Sequence, residues 1–480
     1  MPADRILDRL RAAVREAAEG PPRPVRVPGP AAASADGPAA AASVPVTVEA
    51  GPVASAPVTV EAGPVASVPV TVEAGPDEAG VVRRAGEADT IAGVPARYLA
   101  APRDTAQAAA VLRAAADLDL AVTVRGGGTK QDWGNPPRRL DLILDTTALA
   151  GVVEHAAGDL ITVVRAGTAL DLLATTLARA GQQLAVDPPV AGGTVGGAVA
   201  TNTAGPRRLL YGTPRDLLIG VTLVRADGVV ARAGGKVVKN VAGYDLGKLV
   251  AGAYGTLGLI TECAFRLHPL PAAAAYVSRT VDDPGAAGRL AAAVRAGQLV
   301  PAGLEVDAPP AGPATVTVLI EGTRAGVAAR ATAARRLLGA GATSTDRPPG
   351  GWGSLPWQAG GTGLKLTAAL SGVPRLLAEA RAAAERHGLP LALRGSAGVG
   401  VLYAGLPGTA DPERVAALVD TVRAATAAVA GHTVVVTAPP AVRARVDLWG
   451  PVDGLALMRR IKQRFDPDAR LAPGRFVGGI

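Results

Sequence analysis

Apolar and polar positions alternate with two different periods along most of this 480-residue chain, and the places where neither period holds divide it. In MPADRILDRLRAAVREAAEG, Ile6, Leu10 and Val14 fall four apart, which predicts a short amphipathic helix over 1–20. Residues 21 to about 90 show neither period. They are rich in Pro, Ala and Val and repeat a twelve-residue unit from Val44, Ala56 and Val68. With two prolines in each of the first two copies and no large side chain, the unit reads as a disordered linker rather than a solenoid repeat.

From Ile91 to about Pro271 strands and helices alternate. Asp104 or Thr105 is placed to cap a helix carrying Val111, Leu112, Ala115 and Leu118. Strands are predicted at 121–124, 140–144 and 160–165, and Thr168 with Asp171 suggests a capping box for a helix ending at Gly181. Pro269 and Pro271 mark a break. A second strand-and-helix series follows to about 440, with strands at 315–320 and 364–370 and helices near 324–338 and 374–386. Residues 441–480 hold a helix over 455–465 and a turn-rich tail. The expected fold class is α+β with α/β alternation: one domain over 91–271, a second over 272–440, and a C-terminal segment returning to the first.

The chain is long enough, and at 49% hydrophobic residues apolar enough, to bury a large core. Its net charge of +8 comes from Arg and Lys scattered along the sequence. Without a basic stripe interleaved with aromatics, a solvated basic surface is favoured over nucleic-acid binding. Cys263 stands alone, so this chain can build neither an internal disulfide nor a cysteine-ligated cluster, and no metal site is expected. No signal peptide or membrane-spanning run is evident, and a cytoplasmic location, with membrane association only through partners, is expected.

Three glycine-rich stretches can bring backbone N–H groups close to a diphosphate. They are Arg125-Gly126-Gly127-Gly128-Thr129-Lys130, the loop with Gly192, Gly193, Thr194, Gly196 and Gly197, and Tyr254-Gly-Thr-Leu-Gly258-Leu-Ile260. The first has neither the helix of a GxGxxG fingerprint nor the Walker Lys-Ser/Thr pair. As isolated loops, each reads more readily as only a tight turn.

Their order, together with Tyr211-Gly-Thr-Pro-Arg-Asp216, resembles the FAD-binding domain of the vanillyl-alcohol oxidase or p-cresol methylhydroxylase (PCMH) superfamily, over about 91–271. Within it, the segment 234–258 is most similar to the glycolate oxidase FAD-binding subunit. The resemblance implies a two-lobed PCMH-type domain with an α/β cap. It also implies FAD cradled at Arg125 to Lys130 and at Gly192 to Gly197, with Asp216, Gly258 and Ile260 alongside. Some members carry a flavin-linked His where this chain has Thr129, so FAD is expected to be non-covalent. The tail APGRF resembles the family's NPGR, with Ala472 in place of Asn.

Four scattered histidines form no cluster of the kind that hydroxy-acid-oxidising relatives use. Lys236, Lys239 and Tyr244 lie in the segment expected near the flavin, and Arg394 is a candidate to pair bidentately with a carboxylate. The function implied is the FAD-binding subunit of a glycolate, or 2-hydroxy acid, oxidase or dehydrogenase complex. Its expected partners are a homologous flavoprotein catalytic subunit and an iron–sulfur subunit. A self-sufficient FAD oxidoreductase and a non-catalytic FAD-stabilised assembly subunit stand as alternatives.

Overall fold

A computed structural model describes residues 3–19, 81–236 and 244–480. The repeats and Lys239 lie outside the described residues.

The N-terminal helix, Ala3–Glu19, buries Ile6, Leu7, Leu10 and Val14 against helix Thr105–Asp117 and the small sheet beside it. Its stripe is an integral part of that core. Arg11 Nε donates to the carbonyl of Val82 at 3.2 Å, and Tyr98 Oη to that of Ala3 at 3.3 Å.

Three larger sheets follow, beside two two-stranded ones. The first orders strands Val82–Arg84, Tyr98–Ala100, Leu142–Asp145 and Val122–Arg125, with the last three parallel. The second is antiparallel, in the order Val230–Gly234, Leu218–Val224, Leu259–Arg266, Ile161–Arg165, Val152–Ala156. Asp104 caps Thr105–Asp117 through a 2.8 Å bond from the Gln107 N–H. The capping box suggested at Thr168 and Asp171 does not form, because Ala169 is the N-cap of helix Leu170–Ala178 and the Thr168 hydroxyl turns to Gly151 instead.

The third sheet has eight strands, Thr343–Thr345, Ala273–Val281, Ala314–Gly322, Gly303–Ala308, Ala392–Ser396, Val401–Leu406, Thr362–Thr367 and Thr433–Thr437, every pair antiparallel. Helices Pro284–Ala296, Arg324–Leu338, Val373–Arg386 and Pro412–Ala427 share its apolar core. The strand-and-helix rhythm read from sequence is present, but periodicity carries no strand direction.

The tail crosses back to the first sheet. Val122 N donates to the Arg470 carbonyl and Ala472 N to the Val122 carbonyl, both at 2.8 Å. Ala472 adopts φ +45°, a conformation that suits Asn or Gly better than a residue with a plain Cβ. Ala472→Gly is therefore expected to stabilise the fold by up to ~1 kcal/mol, read as a higher midpoint in urea unfolding. A lower midpoint would show that the backbone there carries no strain.

Candidate cofactor site

The three glycine-rich stretches close around one cleft of about 870 Å³. Its first wall follows strand Val122–Arg125. Arg125 points away from the cleft, pairing with Asp145 at 2.9 Å and Asp89 at 3.1 Å. Asp89 also holds Arg83 at 2.7 Å, and that bond, assisted by the Gly86 N–H and Arg125, lowers its pKa to about 2. The loop is thus anchored at its root by a residue that no motif marked. The stability Asp89 contributes is present above the ordinary carboxylate range and is lost as the pH falls toward 2. Asp89→Asn should flatten the acid limb of a pH–stability profile; an unchanged limb would remove Asp89 from the anchor.

Beyond the root, the N–H groups of Gly126, Gly127, Gly128 and Thr129 meet no acceptor among the described residues. Four successive free donors in a loop without bulk suit an anionic ligand. A Cβ at Gly127 would run into the Gly192 carbonyl, and one at Gly126 into Thr194 Oγ1. Glycine here lets the two loops touch. Gly192 and Gly193 accordingly stand behind the wall, while Thr194, Gly196 and Gly197 line it. Gly258 and Ile260 form the opposite side, with Tyr254 above them.

Two buried cations face this cleft, Lys130 and Arg475. Neither has a carboxylate within 4 Å among the described residues, and Arg475 Nη1 has no partner at all. Burial lowers the pKa of both, Arg475 to about 10. Tyr254 adopts φ +56° and packs with Trp449 and Phe476 at ring distances of 5.3 and 5.7 Å. No local sequence pattern singles out Arg475, Trp449 or Phe476, although Arg475 and Phe476 lie in the APGRF tail.

Asp216 lies elsewhere, accepting from Thr213 N at 2.9 Å and Oγ1 at 2.8 Å. Lys236 pairs with Glu154 on an exposed face, and Tyr244 is 91% exposed. Arg394 does hold a carboxylate bidentately, that of Asp307, at 3.0 and 2.9 Å. Among the described residues no group of three or more His, Cys, Asp or Glu is arranged to hold a metal, and no helix is long and apolar enough to cross a membrane.

The free donors, the glycine contacts and the unpaired cations fit a dinucleotide's diphosphate. Residues 96–234 match the family described as FAD binding domain, and 446–476 that of FAD linked oxidases, C-terminal domain. Residues 96–234 thus form an FAD-binding domain, and over 446–476 the chain is similar to the C-terminal domain of FAD linked oxidases. In particular, it is 37% identical over 162 residues to glycolate oxidase subunit GlcE of Escherichia coli, covering 33% of this chain and 46% of that one. Glycolate oxidase subunit GlcD of Bacillus subtilis is 32% identical over 207 residues, 43% and 44% of the two chains. D-lactate dehydrogenase of Archaeoglobus fulgidus is 35% identical over 168 residues, 35% and 38%. These matches span less than half the length of each curated relative. Among solved structures, p-cresol methylhydroxylase shares the fold with a TM-score of 0.62 at 16% identity, over 79% of this chain and 88% of that one. Alkyldihydroxyacetonephosphate synthase does so with a TM-score of 0.60 at 16% identity, over 79% and 77%.

Proposed function

We propose that this chain is the FAD-binding subunit of a complex that oxidises glycolate or a related 2-hydroxy acid. FAD is held non-covalently, since Thr129 offers no nucleophile of the kind a histidine would supply. The observation that carries the reading is the cleft itself, where four free N–H donors and two unpaired buried cations, Lys130 and Arg475, converge. Gly126 to Lys130 and Thr194 to Gly197 take the diphosphate, and Gly258 and Ile260 take the flank. The names of the relatives support a hydroxy acid as substrate and a multi-subunit assembly. When bound, FAD accepts the two electrons of the oxidation. A single cysteine builds no cluster here; the resemblance to glycolate oxidase subunits implies an iron–sulfur partner that would take electrons from the flavin, and a homologous flavoprotein that would share the substrate chemistry.

The test is the visible spectrum of the purified chain, before and after acid precipitation and then after anaerobic addition of glycolate. We expect a flavin spectrum whose chromophore enters the supernatant as FAD. Bleaching by glycolate would assign catalysis to this chain, and bleaching only after the partner flavoprotein is added would assign it to the complex. A chain purified with ample FAD yet lacking flavin would overturn the proposal.

A further inference from the structure

Four basic side chains are buried among the described residues: Lys130, Arg208, Lys462 and Arg475. Lys462 pairs with Asp466, and Lys130 and Arg475 face the cofactor cleft. Arg208 is left. Among the described residues no carboxylate lies within 4 Å of it; Nε donates to the Gly205 carbonyl at 3.2 Å and Nη2 approaches Tyr403 Oη at 3.5 Å. An unpaired buried guanidinium is costly unless something else completes it.

Arg208 borders a second cavity, of about 290 Å³, between the loop at Pro189 and Gly205 and the eight-stranded sheet. Across it stands Glu305, on strand Gly303–Ala308. Glu305 is 8% exposed, and its Oε1 has no hydrogen-bond partner. Ser396, its cross-strand neighbour, brings its hydroxyl to the same cavity, where it acts on the Glu305 carboxyl. A buried cation, a buried acid and a hydroxyl thus border a space too small for a dinucleotide. The charged groups acting on Glu305 are Arg208, Asp187 across the loop, and Arg394 on the adjoining strand; Arg394 is already committed to Asp307. In the chain the two linings come close, that of the cofactor cleft reaching Thr201, three residues before Ala204 of this one. Tyr403, in the second cavity, acts electrostatically on Tyr254, in the first.

We infer that this second cavity binds a small hydroxy acid, with Arg208 taking its carboxylate and Glu305 hydrogen-bonding its hydroxyl. The ligand class rests on the function proposed above; the site rests on its own unpaired groups. Burial pushes the Glu305 carboxyl up to about 8, so it meets the anion in its neutral, protonated form. Binding should weaken as the pH rises through that value, because an ionised Glu305 would repel the incoming carboxylate.

Glycolate is titrated calorimetrically into the full-length chain between about pH 6 and 9, with FAD content measured spectroscopically on each sample. Arg208→Gln should weaken glycolate at least tenfold, with Arg208→Lys retaining part of the affinity. Glu305→Gln should keep binding at pH 6 and remove its decline toward pH 9. Unchanged affinity in both Arg208 variants, or an unchanged pH dependence in Glu305→Gln, would overturn the site. A wild-type chain without FAD would remove the flavin reading instead, and the Arg208 comparison would still decide this one. If Arg208→Gln fails to fold, the comparison is carried by Arg208→Lys and Glu305→Gln.

Discussion

Replacing Lys130 by Met weakens FAD binding between about tenfold and a hundredfold and, at the same time, raises the melting temperature of the flavin-free chain. The two signs follow from one feature. The ammonium is buried beside Gly193 with a single long contact, 3.4 Å, to Thr129 Oγ1, and a cation–π approach of 5.9 Å to Trp133. Without an anion it pays desolvation that these contacts do not offset, as the lowered pKa reflects. A hydrogen bond from an ion to a diphosphate oxygen is worth ~1.5–3 kcal/mol, which is the stated range of affinity. Titration of flavin-free protein with FAD, followed by flavin fluorescence, measures the first effect and thermal unfolding of the same protein the second. Lower stability with unchanged affinity would instead mark a purely local structural role. Observing that pattern would take Lys130 out of the cofactor site.

Much of this was legible in the chain before any coordinates. Helices Arg324–Leu338 and Leu455–Phe465 match their sequence-based expectations because each carries an uninterrupted helical period between clear breaks. The glycine motifs were legible for a different reason: close approach of two loops leaves few residue choices, as at Gly126 and Gly127. What stayed hidden depends on pairing over long separations. Asp89 gripping Arg125, Arg475 reaching back to the Gln131 and Trp133 carbonyls, and Glu305 facing Arg208 have no local period to betray them. Arg394 shows the limit from the other side. Its residue type suited a carboxylate, and it has one, but sequence alone could not say that the carboxylate is the chain's own.

Substituting Lys462 by Met should be the most destabilising of these changes, about 3–5 kcal/mol, because it strands a buried carboxylate. Lys462 Nζ donates to Asp466 Oδ2 at 2.6 Å and to the carbonyls of Thr256 and Leu471, each at 2.8 Å. Asp466, 1% exposed, also accepts from the N–H groups of Arg470 at 3.0 Å and Leu471 at 2.7 Å. A buried ion pair can often be exchanged for apolar residues at little cost, but this one also satisfies four backbone groups. The double substitution Lys462→Met, Asp466→Leu should therefore fail to restore stability, and recovery to wild-type level in urea unfolding would refute the hub. Its position ties stability to the cofactor. Thr256 belongs to the turn leading to Gly258, and Leu471 pairs with Val122 at the root of the Arg125 loop, so one ammonium fixes two walls of the cleft to the tail that carries Arg475. Lys462→Met should accordingly lower FAD affinity as well as stability, although Lys462 itself does not line the cleft.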